Sequence, residues 1–166
     1  MKLAISTLTI LGLMVLANGS PAGDKTTDKE FIVKVASGNN AEIEIGKLAD
    51  SRAGSTAVKD YANMIVKDHQ AAQQKLGELI KKRKIGVATG LEPDVRDEIN
   101  RLSKMKGTEF DRAFLDHMIK DHKNDIKMFE NQAKNGQEAD VREFANSLLP
   151  DLRKHLQRAE ELAKAK

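Results

Sequence analysis

Five side chains that could ligate a metal ion fall on the apolar stripes of predicted helices. They are Glu42, His69, His122, Asp125 and His155. At about 100° per residue, each lies on the same face as apolar residues one turn away, so each is predicted to point inward. A buried carboxylate is costly unless it is paired, hydrogen-bonded or bound to a metal. Three imidazoles with one or two carboxylates form a donor set that suits Zn, Cu, Mn or Fe.

The same residues also allow an interpretation without an ion. Glu42 and Asp125 could accept protons from the histidines and form a structural polar core. An ordinary di-iron centre is disfavoured, because it uses Glu-x-x-His on two helices, whereas an apolar residue stands three positions before each of the three histidines. The fourth histidine, His117, lies about 100° off the stripe and is predicted to be peripheral. No catalytic residue can be assigned, so whether the protein is an enzyme stays open.

The composition excludes several other classes of site. The 166 residues contain no Cys, which rules out a disulfide framework, a thiolate zinc site, an iron–sulfur cluster and covalent c-type haem. The net charge of +3 is too small for a dedicated nucleic-acid binder. The chain has no Gly-rich phosphate loop and no Gly-x-Ser-x-Gly elbow. Non-covalent haem is disfavoured by the interior carboxylates, so no haem, nucleotide or nucleic acid is expected.

Four amphipathic helices are predicted to position the five side chains. They span about residues 28–52, 56–84, 108–134 and 138–163, with a short helix at about 93–105 in the connection. Thr27 and Glu30 have the spacing of a capping box at the start of the first helix. Pro150 predicts a kink or break in the last one. Four helices of this length favour an all-α, ferritin-like four-helix bundle.

The two halves of the chain repeat at an offset of 83 residues. Residues 58–63 align without a gap on residues 141–146, and Glu42 aligns with Asp125. The repeat predicts that the bundle consists of two related helical hairpins, with the short extra helix in the connection between the second and third long helices.

The amino terminus has the layout of a secretory signal. Lys2 precedes an uncharged run of about 15 residues and then small residues, and the run is shorter than the ~20 residues of a membrane span. An uncleaved anchor is the alternative. The predicted organisation is a signal peptide at 1–19, a flexible linker at 20–27 and the bundle at 28–164. The mature chain is predicted to be periplasmic or secreted and has no transmembrane segment.

Several segments of the mature chain resemble the DUF4142 family of ferritin-like bacterial proteins. These are residues 41–49, 58–69, 110–114, 121–122, 149–150 and 155–156, within a matching region of about 28–162. The resemblance implies an exported α-helical bundle and supplies no established activity. The family's frequent label, "predicted outer membrane protein", leaves association with the outer membrane open.

Two functions of different class remain. One is a non-enzymatic envelope protein, related to stress or to protein interaction, with a structural His/carboxylate core. The other is a metal-binding protein or metal-dependent oxidoreductase.

Overall fold

The computed structural model describes residues 27–88 and 90–165. These residues form five helices: α1 (Asp28–Arg52), α2 (Thr56–Arg83), α3 (Pro93–Ser103), α4 (Gly107–Asn135) and α5 (Ala139–Lys164). The prediction of an all-α chain with a short helix between the second and third long ones is confirmed. Its finer form, a ferritin-like bundle of repeated hairpins, stays a prediction. The predicted signal peptide and all but the last residue of the predicted linker lie outside the described residues.

Local sequence signals mark where α1, α2 and α3 begin. The Thr27 side chain accepts a hydrogen bond from the Glu30 amide at 3.2 Å, and the Thr27 amide donates to the Glu30 carboxylate at 2.9 Å. This reciprocal pair is the predicted capping box. Ser55 caps α2 by accepting from the amide of Val58. Pro93 opens α3 at a position where no backbone donor is needed.

Pro150 does not break α5. The helix runs without interruption from Ala139 to Lys164 with the proline inside it. Proline removes the hydrogen bond to the carbonyl four residues earlier, which here belongs to Asn146. Both Pro150 and Asn146 are exposed. Water can therefore solvate the released carbonyl, and the predicted break is absent.

The helices pack as two hairpins joined across the molecule. The pairs α1–α2 and α4–α5 make the most extensive contacts, and α1 also contacts α4 while α2 contacts α5. The short α3 packs on α1 and α4. None of the described helices combines the length and the apolar character of a membrane span.

The core consists of two apolar clusters at different levels of the four long helices. The first includes Phe31, Val35, Leu76, Phe129, Phe144 and Leu152. The second includes Ile45, Tyr61, Ile65, Phe114, Met118 and Ala159. Each long helix has a buried polar residue between the two sets, and α1 has two: Asn39 and Glu42 on α1, His69 on α2, His122 on α4 and His155 on α5. The helix pattern therefore places one polar layer between two apolar ones.

Two buried aspartates connect the hairpin turns to the opposite hairpin. Asp28 accepts from the amide of Gln137 at 3.0 Å, and Asp111 accepts from the amide of Gly54 at 2.9 Å. Donors and acceptors of these two bonds are both related by the 83-residue offset of the sequence repeat. The bonds hold each hairpin turn against the amino-terminal part of a helix in the other half.

Candidate metal centre

The polar layer brings four of the five predicted side chains into one cluster. Glu42, His69, His122 and His155 are 3%, 4%, 0% and 1% exposed. One ring nitrogen of each histidine lies within 4.8 Å of the others. The Glu42 carboxylate contacts two of the rings, with Oε2 2.7 Å from His69 Nε2 and Oε1 3.4 Å from His122 Nδ1. Each of the four long helices contributes one member.

Asn39 fixes the orientation of the His69 ring. The Asn39 amide nitrogen donates to Gln73 Oε1 at 3.1 Å, so its oxygen is the atom that faces His69 Nδ1 at 2.9 Å. An amide oxygen only accepts hydrogen bonds, and therefore His69 Nδ1 carries a proton. In the neutral ring the lone pair is then on Nε2, the nitrogen beside Glu42.

Two further acceptors fix the other rings. The Met118 carbonyl lies 3.0 Å from His122 Nδ1, and the Asp68 carboxylate lies 3.0 Å from His155 Nε2. Each of these nitrogens must carry a proton in order to donate. The remaining nitrogens, His122 Nε2 and His155 Nδ1, face each other at 3.2 Å. Metal-bound histidines usually donate their other N–H to a carbonyl or a carboxylate in this way.

The interior of the cluster consequently contains more acceptors than donors. If both rings are neutral, the His122 and His155 lone pairs point at each other. His69 Nε2 and both oxygens of Glu42 are buried and, among the described residues, have no aligned hydrogen-bond donor. Such groups are costly to bury unless a cation neutralises them. A proton or a metal ion between them would meet that requirement.

The pKa shifts describe the charge of the cluster when only protons are available. Burial alone would raise the pKa of Glu42, but the nearby His69 and His122 outweigh it and lower that pKa. Burial likewise lowers the pKa of His69, but Glu42 outweighs it and raises that pKa. Burial lowers the pKa of both His122 and His155, which the neighbouring imidazoles reinforce. The set is one His69–Glu42 ion pair beside two neutral imidazoles.

Asp125 lies next to the cluster rather than within it. It is partly buried and lines a small cavity together with Asp68, His69 and His155. Burial and the charge of Glu42 raise the pKa of Asp125 to about 7. The structure therefore separates the two carboxylates that the repeat aligns: Glu42 contacts imidazoles, and Asp125 borders the cavity.

Sequence reasoning missed Asn39 as an orienting residue. Its signal was available, because Asn39 is three residues before Glu42 on the same helical face. Asp68, which precedes His69 in the sequence, pairs with His155 of α5. His117 lies outside the cluster, between Glu98 of α3 and Asp121.

Solved structures with a similar fold include two copper complexes. A DUF305 fragment from Deinococcus radiodurans has a TM-score of 0.75 at 14% identity, over 84% of this chain and 96% of that chain. CopM in the Cu(I)-bound form has a TM-score of 0.70 at 15% identity, over 84% and 96% of the two chains. CopM in the Cu(II)-bound form has a TM-score of 0.71 at 17% identity, over 84% of this chain and 97% of that chain. At these identities the likeness shows the fold alone.

The sequence itself points to one family. No curated protein matches it significantly. The family model described as "Domain of unknown function (DUF4142)" matches residues 14–162, which include all five helices except the end of α5. The chain belongs to the DUF4142 family.

Proposed function

We propose that this protein is an exported, non-enzymatic metal-binding protein with a ferritin-like four-helix bundle. Its centre holds one copper or zinc ion through His69, His122 and His155, with Glu42 as the neighbouring carboxylate. One observation carries the proposal: each imidazole already has an acceptor for one nitrogen, and the other nitrogens are directed at one another or at Glu42.

The donor set favours copper or zinc among the metals that the sequence allows. Imidazole nitrogen suits both, whereas manganese prefers a larger share of oxygen ligands and Fe(II) binds a given site of this kind more weakly than Cu(II). The Asn39, Met118 and Asp68 partners supply the outer hydrogen bonds that orient ligating histidines. CopM, which has a similar fold, occurs in Cu(I)- and Cu(II)-bound forms. That likeness supports copper by analogy of fold only.

The cellular setting follows from the amino terminus. The basic start and short apolar run support a signal peptide at 1–19, a linker at 20–27 and the bundle at 28–164. The protein would then act in the periplasm or outside the cell. Mass spectrometry of the mature protein from its host would reveal the cleavage site. A mature chain that still began at Met1 would contradict export by cleavage.

Metal titration with a histidine control tests the proposed centre. The purified protein, stripped with a chelator, is titrated with Cu(II) and with Zn(II) by calorimetry. We expect one ion per chain and a loss of about 100-fold or more in affinity for His122→Ala. His117→Ala makes the same change outside the cluster and should bind like the wild type. Absence of binding in the wild type, or equal binding in His122→Ala, would overturn the proposal.

A structural polar core is the second candidate function. It is favoured by the 2.7 Å contact between His69 and Glu42, in which two opposite charges compensate each other without a metal. In that case Glu42→Gln and His122→Ala lower the free energy of unfolding and displace no ion. Stoichiometric metal that is lost in these variants would contradict it.

A further inference from the structure

A small cavity, here called the side cavity, lies beside the histidine cluster and is also lined by exposed side chains. Its volume is about 40 Å³, and all four long helices line it. Its lining includes the buried rings of His69 and His155 as well as the exposed Lys34 and Asp151. Since about 10–15 Å³ is enough for one water molecule, the space admits a small ion. The cavity thus borders both buried candidate ligands and exposed side chains, as a route from solvent to the centre would.

Gly38 borders the side cavity, and close packing does not explain why this position is a glycine. Gly38 is in the middle of α1, and a Cβ added there would meet no atom within 4 Å. Gly46 on the same helix is different, because its Cβ would lie 2.7 Å from a methyl carbon of Val66. A glycine inside a helix costs roughly 0.5–1 kcal/mol relative to alanine. Close packing explains Gly46, whereas at Gly38 the missing side chain leaves the cavity open.

The lining of the side cavity is largely apolar and carries three aspartates. Asp68, Asp125 and Asp151 share the lining with Lys34, which is its only lysine or arginine. A narrow cleft lined by one sign of charge concentrates ions of the opposite sign. The His69 Nε2 atom, buried and without an aligned hydrogen-bond partner, is on the ring that forms the inner wall. Charge and donor atoms therefore favour a cation.

We propose that the side cavity is the access route for a divalent metal ion and that Gly38 keeps it open. The inference rests on the proposed function, since the route matters only if the histidine cluster binds metal. It goes further, because it implies that the centre takes up and releases its metal ion and does not hold it permanently as a structural site does. Structural zinc sites are closed by their protein ligands. Here an open passage reaches two of the three imidazoles, so the ion can be taken up and released without unfolding.

A substitution at Gly38 tests the route without changing a ligand. In Gly38→Leu the new side chain would enter the side cavity. Stopped-flow mixing measures Zn(II) uptake by the metal-free protein and Zn(II) transfer from the loaded protein to EDTA. We expect both rates to fall by about tenfold, so that the equilibrium affinity hardly changes. Gly77→Leu is the matched control, because Gly77 is an exposed helical glycine that also has open space and is outside this cavity.

A charge variant tests the same route independently. Asp151→Asn removes an exposed carboxylate at the outer end and should slow Zn(II) uptake by about threefold at low ionic strength. The difference should vanish at high salt, where such interactions are screened. If Gly38→Leu weakens equilibrium binding instead, its rates no longer test the route. The Asp151→Asn variant then tests it: slower uptake at low salt supports the route, and unchanged uptake overturns it.

The outcomes separate this proposal from the proposed function. A wild type that binds no metal overturns both. A wild type that binds metal, with uptake and release rates unchanged in Gly38→Leu and in Asp151→Asn, overturns the route alone and leaves the metal centre in place.

Discussion

Helix α1 carries two buried carboxylates that are surrounded very differently. Asp28, in the first turn, accepts hydrogen bonds from the Gln132 side chain at 2.7 Å and from the amides of Gln137 and Glu138 at 3.0 and 2.7 Å. Glu42, about four turns further on, contacts imidazoles but accepts no aligned hydrogen bond. Both side chains are more than nine-tenths buried.

The difference separates a carboxylate that supports the fold from one that belongs to the proposed metal centre. Around Asp28, charge-assisted bonds from the opposite hairpin satisfy both oxygens, which fixes one turn of the bundle. Around Glu42, the nearest partner is His69 at 2.7 Å, whereas the N–H groups of His122 and His155 are directed at Met118 and Asp68. We therefore interpret the Asp28 region as structural and the Glu42 region as built for a cation.

The largest expected effect is the loss of stability in Asp28→Ala. The substitution leaves the Gln132, Gln137 and Glu138 donors without their acceptor, which should lower the free energy of unfolding by about 3 kcal/mol. Urea denaturation of the metal-free protein measures it. Asp50→Ala changes an exposed aspartate on the same helix and should stay within about 0.5 kcal/mol. If both substitutions changed the free energy of unfolding by the same small amount, Asp28 would not have the structural role inferred for it.

The second effect concerns stabilisation by metal, which the Asp28 region should not influence. At a free Zn(II) or Cu(II) concentration of 100 times Kd, the wild type should gain about 2.7 kcal/mol. Asp68→Ala frees the His155 ring and should weaken binding by about tenfold or more, which corresponds to about 1.4 kcal/mol. Asp60→Ala, an exposed change on the same helix, is the control. Urea denaturation with and without metal gives the metal-induced increase in the free energy of unfolding for each protein. If Asp68→Ala gained as much as the wild type, the orienting role of Asp68 would be contradicted.

Glu42→Gln should have little effect on the metal-free protein. The substitution removes a buried charge that accepts no aligned hydrogen bond, and His69 can then release its proton. We expect a change in the free energy of unfolding of about 1 kcal/mol or less, measured by urea denaturation with EDTA at pH 8. A loss as large as that of Asp28→Ala would instead place Glu42 in a structural core.

Helical periodicity was sufficient to predict which side chains point inward. The stripes of α2, α4 and α5 place His69, His122 and His155 correctly in the interior, and the capping box starts α1 at Asp28. Both are local properties, since a face or a cap depends on residues within one or two turns. The family could also be identified, because short motifs spread over the chain carry it.

Periodicity could not predict which inward residues meet. The 3.2 Å contact between His122 and His155 depends on the axial shift between two helices, which no single stripe encodes. Asp125 shows the same limit of prediction from the sequence. The repeat aligns it with Glu42, yet it does not join the cluster. The residue aligned with His69 is Leu152, so Asp125 has no equivalent imidazole to contact. The repeat preserves positions along the chain, whereas the site depends on the side chains in which the halves differ.

The smallest expected effect tests a histidine–carboxylate contact outside the centre. His117 Nε2 lies 3.1 Å from Asp121, and Nδ1 lies 3.4 Å from Glu98. Burial alone would lower the pKa of His117, but these carboxylates outweigh it and raise that pKa. The folded state therefore binds this proton more tightly than the unfolded state, in which the pKa is about 6.5. The resulting stabilisation is complete below that value and is lost as the pH rises through the higher folded pKa.

The measurement compares the wild type with His117→Gln in EDTA at pH 5.5 and pH 8.5. The difference in their free energies of unfolding should be larger at pH 5.5, by about 0.5 kcal/mol, because partly exposed ion pairs contribute little. The other three histidines are common to both proteins, so their titration cancels in the difference. A difference independent of pH would show that His117 contributes through packing alone. If that difference changed by several kcal/mol between the two pH values, the contacts of His117 with Asp121 and Glu98 would contribute far more than a partly exposed ion pair does.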